Sequence, residues 1–327
     1  MALDRLLPAI IAVIGVPAAT AGYIVLAERL LALAPDRARA GLRPWIWLAP
    51  ALVLLVVFLV YPSLNTIYLS LLNATSTAWV GLANYAAIFT DPAVLLALRN
   101  NVIWVVVFTS ATVLLGLLIA ALTDRVPYES LAKGIVFLPL AISFVAAGVI
   151  WRFVYDYRPP PLPQTGTLNA LLMSVLPTFE PQAWLANNPP LNTFALIVAA
   201  AWIWTGFCTV IISAALKGIP VELLEAARVD GASELQIFRR VIVPLLAPTL
   251  AVVTTTMIIF ALKAFDIVYV MTNGNFDTEV IANRMYKEMF NVRDFGRASA
   301  IAVVLLAAIV PVMLFNVRRF RQQEEMR

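Results

Sequence analysis

The stretch TFALIVAAAWIWTGFCTVIISAAL, residues 193–216, contains no Asp, Glu, Lys or Arg. Its length matches the roughly 20 apolar residues that cross the hydrocarbon core of a bilayer as one helix. The chain as a whole has the same character, because 62% of its 327 residues are hydrophobic, 13% are charged and the mean hydropathy is +0.89. A soluble domain carries about 25% charged residues. The composition therefore indicates an all-α membrane protein.

Similar apolar runs recur along the chain and predict a polytopic bundle of about seven transmembrane helices. The predicted spans are residues 7–31, 45–69, 101–122, 134–154, 193–216, 250–271 and 298–317. Prolines and glycines interrupt the first of these spans, so we expect it to be kinked or peripheral. The segments 81–100 and 157–166 are too polar or too rich in proline to span, and we expect them to be loops.

Lys and Arg residues are unequally divided between the two sets of loops, and the richer set marks the cytoplasmic side. The richer set is Arg29, Arg37, Arg39, Arg43, Arg125, Lys133, Lys217, Arg228, Arg239, Arg240, Arg318, Arg319, Arg321 and Arg327. This division predicts an external N-terminus and a cytoplasmic C-terminus. It also places residues 217–248 in the cytoplasm and the loops 81–100 and 157–166 outside.

The residue inventory excludes several kinds of chemistry. The chain has no histidine and one cysteine, Cys208, which excludes intrachain disulfides, Ser-His-Asp catalysis and the usual Cys/His zinc sites. We interpret Cys208 as a small buried hydrophobic residue. The sequence lacks a G-x-x-x-x-G-K-[ST] phosphate loop, so we expect no cofactor in this chain. Its net charge of +4 is spread over short loops and does not indicate nucleic-acid binding.

The longest amphipathic passage is PVELLEAARVDGASELQIFRRVIVPLLAP, residues 220–248. Pro220 is suited to the start of a helix, and Gly231 is suited to the positive φ that ends one. Ser233 is a good N-cap for a second short helix over residues 233–241, which we expect to end before Pro244. The passage thus predicts a helix–turn–helix beside the bilayer.

Three interpretations of this charged passage are open on physical grounds. It is a solvated loop, a membrane-surface helix, or a docking surface for a soluble partner. A membrane-surface helix has a polar face rich in Lys and Arg, whereas acidic residues are equally frequent here. The small residues Ala226 and Ala227 lie between charges and allow another backbone to approach closely, which favours the docking surface.

The same passage resembles the cytoplasmic EAA loop of permease subunits in binding-protein-dependent ABC importers. The matching positions are Glu225, Ala226, Ala227, Asp230, Gly231 and Pro244. The stretches 80–89, 97–101, 202–207 and 260–276 are similar to the carbohydrate, maltose-type branch of that family. TNGNF, residues 272–276, departs from the Thr-x-Gly-Gly-Pro ending that is more usual there.

The resemblance implies a six-helix core over residues 45–327, with an extra N-terminal transmembrane helix and linker over residues 1–44. It implies that residues 217–248 contain a coupling helix that docks on a cytoplasmic ATPase, with Glu225 in a polar contact and Gly231 at the turn. The implied partners are a second, homologous permease subunit, two ATPase subunits that bind ATP and Mg²⁺, and an extracytoplasmic solute-binding protein. The implied location is a bacterial inner membrane, in contact with lipid.

Lys263 and Asp266 lie in the sixth predicted span, three residues apart, and are expected on one helix face. Ionisable residues inside a membrane usually pair with each other or face a cavity, so they form either a structural ion pair or a contact with a polar solute. Trp204 and Phe260 match family positions near the substrate cavity. Packing against lipid or other helices is the alternative for both aromatic residues.

The function predicted from the sequence is the pore-forming subunit of an ATP-driven importer for a sugar, an oligosaccharide or glucoside, that works by alternating access. The first alternative is a self-sufficient, ion-coupled secondary transporter. Such carriers have repeated halves and midplane carboxylates, and Asp266 is nearly alone in the spans. An intramembrane enzyme is the second alternative, but no histidine or cluster of acids is available for acid–base catalysis.

Overall fold

The computed structural model of the protein describes residues 11–124, 126–186 and 189–324. The chain forms two compact units, Met1–Asn65 and Thr66–Arg327. Nearly all regular structure within the described ranges is helical, and β pairing there is limited to an isolated antiparallel bridge between Leu72 and Trp79.

The first unit contains helix α1, Val16–Leu33, and most of helix α2, Asp36–Leu69. Arg39 of α2 donates hydrogen bonds to the carbonyl oxygens of Leu31 at 2.9 Å and of Ala32 at 2.8 Å. These carbonyls are among the last of α1, where helix geometry leaves C=O groups short of partners. Arg39 therefore adds to the cap that the N–H of Ala34 already makes on the Leu31 carbonyl. The predicted domain boundary between residues 44 and 45 falls inside continuous α2.

The second unit contains the remaining helices, which are listed here in chain order. They are α3 Ala83–Thr90, α4 Pro92–Thr123, α5 Glu129–Phe137, α6 Phe144–Val154, α7 Thr167–Val175, α8 Leu191–Lys217, α9 Val221–Val229, α10 Glu234–Leu262, α11 Asp266–Met271, α12 Ile281–Lys287 and α13 Phe295–Glu324.

Six helices within the described residues are long and apolar enough to cross a membrane, and a bent helix pair provides a seventh candidate. The six are Val13–Leu33, Asp36–Leu69, Pro92–Thr123, Leu191–Lys217, Glu234–Leu262 and Phe295–Asn316. The bundle of about seven spans predicted from the sequence is thereby confirmed. Residues 7–10 of the first predicted span lie outside the described residues.

The fourth predicted span, residues 134–154, is not a straight helix. It consists of Glu129–Ala141 and Phe144–Val154, which are bent by 102° relative to each other. Pro139 lies in a short 3₁₀ turn at the bend, and Ser143 accepts a hydrogen bond from the N–H of Ala146 to cap α6. Proline has no N–H to continue the hydrogen-bond pattern of the first helix, which favours its end here. Ser143 then pairs one of the free backbone N–H groups at the start of α6.

Two other boundaries differ from the prediction. Residues 92–100 were expected in a loop, but α4 begins at Pro92, where Asp91 caps the helix by accepting from the N–H of Ala93. The short helix expected over residues 233–241 does not end before Pro244, because it continues through a widened π turn, Phe238–Ile242, into α10. A π turn relaxes the hydrogen-bond pattern where Pro244 lacks an N–H.

Helix α8 is the centre of the second unit. In its most apolar segment 72% of the residues are buried, whereas the corresponding shares are 33% in α4 and 28% in α10. At Gly116 of α4, an added Cβ would lie 2.5 Å from Cβ of Cys208 and 3.1 Å from the backbone nitrogen of Thr209. At Gly206 of α8, an added Cβ would clash with the backbone of Val136 and Phe137. Glycine therefore lets two neighbouring helices approach α8 to backbone contact.

The second unit has two ends, which the hydrogen bonds define. At one end, here called the loop end, residues 155–186, 189–190 and 272–294 lie beside the starts of α4 and α8, and Asn100 donates to the carbonyl oxygen of Glu279 at 2.8 Å. At the other, the motif end, residues 218–233 connect α8 to α10, and Lys217 forms an ion pair with Glu129 at 2.7 Å. Helix α8, at 27 residues, separates these ends by about 40 Å.

A cluster of charged side chains at the loop end holds α4, α12 and α13 together. Arg297 contacts Asp91 at 2.6 Å, and Arg284 contacts Asp91 at 3.4 Å and the buried Glu288 at 2.6 Å. Burial by itself would raise the pKa of Asp91, but hydrogen bonds from Ala93 and Arg297 and the charge of Arg284 outweigh it, so that pKa lies below its usual value. The cluster has equal numbers of acids and arginines and ties α4 to α12 and α13.

We predict that Gly116→Val destabilises the bundle, whereas Gly134→Ala does not. The added side chain at residue 116 would overlap α8 and cost about 1–3 kcal/mol, whereas nothing lies within 4 Å of a Cβ at residue 134. The check is the thermal melting temperature of the purified variants in one detergent. Equal melting temperatures for both variants would show that the close approach at Gly116 is not required.

Candidate functional site

The passage that connects α8 to α10 is a rigid turn between two helices. At the end of α9, the N–H of Ala232 donates to the carbonyl oxygen of Ala227 at 3.0 Å, and the N–H of Gly231 donates to that of Arg228 at 3.0 Å. This is the Schellman arrangement, which requires a left-handed residue, and Gly231 supplies it with φ +79°. The positive φ predicted for Gly231 is confirmed.

The start of α10 is also held by specific capping hydrogen bonds. Ser233 accepts a hydrogen bond from the N–H of Gln236 at 3.4 Å, and Gln236 accepts one from the N–H of Ser233 at 2.8 Å. This reciprocal pair is a capping box, and it satisfies two backbone donors at the helix start. The N-cap predicted for Ser233 is confirmed. Because a Schellman turn leads directly into a capping box, the turn has little freedom to bend.

Helix α9 has one face on the bundle and one face in solution. Leu224, Ala227 and Ala232 are half-buried and pack against the core. The opposite face exposes Val221, Glu222, Glu225, Ala226 and Val229, and Val229 is 87% exposed. An exposed surface that combines apolar side chains with two carboxylates is suited to a protein partner.

The predicted coupling residues occupy distinct positions on this turn. Glu225 and Ala226 lie on the exposed face, Ala227 faces the core, and Asp230 is the exposed C-cap before Gly231. Ala227 therefore supports the helix rather than presenting a surface. Nearby, Arg228 forms an ion pair with Glu234 at 2.9 Å across the turn, and that hydrogen bond raises the pKa of the Arg228 guanidinium.

A cavity of about 190 Å³ lies near the middle of the second unit. It is lined by Trp104, Phe108, Phe144, Ala200, Trp204, Phe260, Lys263, Ala264, Phe265, Asp266 and Ile267. The four residues predicted for the substrate path, Trp204, Phe260, Lys263 and Asp266, are all part of this lining. Residues from four different predicted spans thus converge on a single site.

Trp204 is the centre of the aromatic wall of this cavity. Its ring centroid lies 3.8 Å from that of Phe260 on α10, 5.9 Å from that of Phe144 on α6 and 5.7 Å from that of Phe207 on α8. Trp204 and Ala200 lie near the midpoint of α8, so the cavity lies near mid-depth. Aromatic faces beside charged groups form a wall that takes both apolar and polar surfaces of a solute.

Lys263 and Asp266 do not lie on one continuous helix, contrary to the expectation from their spacing. Helix α10 ends at Leu262, Lys263 caps it, and α11 begins at Asp266 after two non-helical residues. Within the described part of the chain, no salt bridge joins the two side chains, and both are exposed. The structural ion pair is therefore not formed in this chain, and the break directs both charges to the cavity.

Asn101 belongs to the stretch 97–101 and was not predicted as a site residue. It is 2% exposed, donates to the carbonyl oxygen of Leu262 at 3.2 Å and accepts from the N–H of Ile281 at 2.8 Å. The Leu262 carbonyl lies at the broken end of α10 and has no partner in its own helix. Asn101 therefore stabilises the break that places Lys263 and Asp266.

Among the described residues, no group of His, Cys, Asp or Glu is arranged to hold a metal ion. Cys208 is fully buried in the core cluster around α8, as predicted for a small hydrophobic residue. Trp104, Phe108 and Phe265 also line the cavity and were not predicted. Their side chains are typical of any membrane helix, so the sequence carried no signal that separates them from packing residues.

Comparison with known proteins identifies the family to which these features correspond. A family model described as a binding-protein-dependent transport system inner membrane component matches residues 112–321. The osmoprotective compounds uptake permease protein GgtC of Synechocystis sp. is 54% identical over 86% of this chain and 100% of its own length. The alpha-glucoside transport system permease protein AglF of Rhizobium meliloti is 47% identical over 85% of this chain and 82% of its own length.

A solved structure has the same fold. One chain of a bacterial ABC transporter involved in the import of the acidic polysaccharide alginate superposes with a TM-score of 0.74. The match covers 88% of this chain and 99% of that chain at 22% identity. At this identity the likeness supports the architecture, and the sequence relatives support the family.

We predict that Lys263→Met and Asp266→Asn leave thermal stability nearly unchanged, whereas Asn101→Leu lowers it. Within the part of the chain that the structure describes, the first two side chains have no hydrogen-bond or ion-pair partner to lose. Asn101→Leu, in contrast, leaves a buried N–H and a buried carbonyl unpaired, at about 1–3 kcal/mol each. Melting of the three variants in one detergent is the measurement. A large loss of stability in Lys263→Met would restore the structural ion pair as the better interpretation.

Proposed function

This chain belongs to the family of inner membrane components of binding-protein-dependent transport systems, and we propose that it imports a sugar, an oligosaccharide or glucoside, by alternating access. It is a multi-pass permease subunit of an ABC importer. We further propose that its coupling loop, which docks on the ATPase, contains Glu225, Ala226, Ala227, Asp230 and Gly231.

The observation that carries this proposal is the continuity of α10. The helix begins at the capping box of the rigid turn and ends at the cavity with Phe260 and Lys263. Its 29 residues extend about 44 Å, and they remain one helix through the π turn Phe238–Ile242 and past Pro248. A displacement of the turn at the motif end is therefore transmitted to the cavity wall, which is what coupling to an external ATPase requires.

The cavity charges support a second permease subunit. Lys263 and Asp266 are exposed in the isolated chain although they lie near mid-depth of the bundle. A charged side chain at the centre of a bilayer costs about 2.5–3.5 kcal/mol, so protein or an aqueous path must cover these groups. A homologous second permease chain that faces the same cavity meets this requirement and completes the pore.

The sugar class rests on the chemistry of the cavity and on the relatives. Trp204 and Phe260 offer aromatic faces to the apolar faces of a sugar ring, while Lys263 and Asp266 donate to and accept from its hydroxyl groups. The relatives' names refer to alpha-glucosides and to osmoprotective compounds. An oligosaccharide or glucoside is consistent with the chemistry of the cavity and with the names of the relatives.

The energy source lies outside this chain in the proposed mechanism. Two cytoplasmic ATPase subunits bind ATP and Mg²⁺ and dock on the exposed face of α9. Their closure moves the turn, and an extracytoplasmic solute-binding protein delivers the sugar at the loop end. An ion-coupled carrier is the less favoured alternative, since it gives no role to the rigid exposed turn.

The coupling role predicts that Glu225→Lys and Gly231→Pro abolish ATP-dependent uptake. The first reverses a charge on the docking face, and the second removes the φ of +79° that the Schellman turn requires. The two measurements are uptake of labelled maltose into right-side-out vesicles and co-purification of the ATPase.

Glu180→Lys is the matched control for Glu225→Lys, because Glu180 is equally exposed but belongs to the loop end. It is expected to retain uptake and ATPase co-purification. Normal uptake in both Glu225→Lys and Gly231→Pro would refute the docking role.

The proposed orientation places the loop end outside and the motif end in the cytoplasm, with the N-terminus outside and the C-terminus inside. In a Cys208→Ala background, Ser174→Cys on α7 should react with an impermeant thiol reagent added to intact cells. Glu222→Cys on α9 should react only after the membrane is opened, since both positions are exposed but at opposite ends. The reverse pattern would invert the orientation.

A further inference from the structure

A second pocket lies at the loop end, separate from the central cavity. It has a volume of about 280 Å³ and includes Arg152, Tyr155, Asp156, Tyr157 and Trp184 in its lining. The connecting segments around α7 and the end of α6 build it. Neither the coupling loop nor the central cavity uses any of these side chains.

The aromatic ring of Trp184 is held in a fixed position in this pocket. Its Nε1 donates to Oδ1 of Asn169 at 2.9 Å, and Asn169 is fully buried. The ring is stacked on Phe179 with an interplanar angle of 13° and lies 6.4 Å, between centroids, from Tyr155. Because its polar atom is already satisfied, what Trp184 has left for a ligand is an apolar ring surface.

Charged groups of both signs lie beside this ring. Among the described residues, the guanidinium of Arg152 makes one long hydrogen bond, 3.4 Å to the carbonyl oxygen of Val270, and a guanidinium has five N–H donors. The carboxylate of Asp156 accepts from Thr165 at 2.7 Å through Oδ2, which also lies 3.9 Å from Nε of Arg158. Both contacts use Oδ2, which leaves Oδ1 as an acceptor. A preoriented aromatic face flanked by free donors and a free acceptor is suited to a sugar ring with equatorial and axial hydroxyl groups.

The pocket and the central cavity are joined by one face of α6. Phe144 lines the central cavity, Tyr155 lines the outer pocket, and Trp151 lies between them at helical spacing. Trp151 is 5.1 Å from Tyr155 and 5.9 Å from Trp202, between ring centroids. The two sites are thus about 16 Å apart along α6, connected by aromatic side chains.

We propose that the pocket formed by Arg152, Tyr155, Asp156, Tyr157 and Trp184 is an outer saccharide subsite, which holds a sugar ring before it reaches the central cavity. The inference deepens the proposed function and rests on its orientation, in which the loop end faces outward. It assigns Trp184 the stacking contact and assigns Arg152 and Asp156 the hydrogen bonds to hydroxyl groups.

The experiment measures saturation-transfer difference NMR of maltose at millimolar concentration. The full-length chain is used in lipid nanodiscs with the subunits that co-purify with it. A Trp204→Ala/Phe260→Ala variant removes the aromatic contacts of the central cavity, so that the outer subsite contributes the larger share of the remaining signal. Saturation transfer to maltose C–H protons is expected to persist in this variant and to fall about fivefold to tenfold when Trp184→Ala is added, as for the loss of one aromatic contact.

Trp79→Ala is the matched control, because Trp79 is an exposed tryptophan of a loop that does not line the pocket. A second pocket variant, Arg152→Gln/Tyr157→Ala, changes exposed side chains only and should weaken the signal even if Trp184→Ala fails to fold. Melting temperatures identify any variant that fails to fold.

Three results would overturn the subsite. The first is loss of the signal in the Trp204→Ala/Phe260→Ala variant alone. The second is a signal that neither pocket variant changes. The third is release of the solute-binding protein by the pocket variants with no change in saturation transfer, which would make the pocket a protein-docking face. ATP-dependent uptake by the unmodified complex is measured separately: uptake without an outer signal refutes the subsite alone, whereas an outer signal without uptake refutes the proposed function alone.

Discussion

Backbone-to-backbone packing at α8 is the contact on which the rest of the second unit depends. Lipid is as apolar as the helix surfaces, so helices in a membrane associate through close van der Waals contact rather than through the hydrophobic effect. Gly116 and Gly206 provide that contact on two sides of α8. The aromatic residues of α8 can then meet residues of α6 and α10, and Trp204 reaches both Phe144 and Phe260.

Around this rigid centre, the polypeptide is interrupted where function requires it. Helix α10 is continuous from the capping box at Ser233 to Leu262, then breaks, and Asn101 satisfies the carbonyl that the break exposes. The intact part extends about 44 Å, while the broken part turns two charges into the cavity. Irregular backbone inside a membrane is tolerated where it lines a cavity, and the location of this break follows that rule.

Features that depend on contacts within a few residues could be predicted from the sequence, whereas those that depend on distant contacts could not. The Schellman glycine at residue 231 and the N-cap at Ser233 are set by contacts within six residues, and both were predictable. The relation of Lys263 to Asp266 was mispredicted because helical spacing was assumed across a segment that unwinds. That unwinding depends on a hydrogen bond from Asn101, more than 150 positions earlier in the chain, which no local pattern contains.

The sequence by itself determined the class of protein, the approximate number of spans and the charged turn, because apolar length and short-range capping are local properties of a chain. The family was indicated by the pattern of Glu225, Ala226, Ala227 and Gly231, which is also local. The tertiary structure alone decided that Trp204, Phe260, Lys263 and Asp266 line one cavity, that the fourth span bends by 102° and that Trp184 meets Tyr155 at a second pocket. These arrangements arise from contacts between helices far apart in sequence. A membrane helix is apolar on every face, so its periodicity does not say which face meets which neighbour.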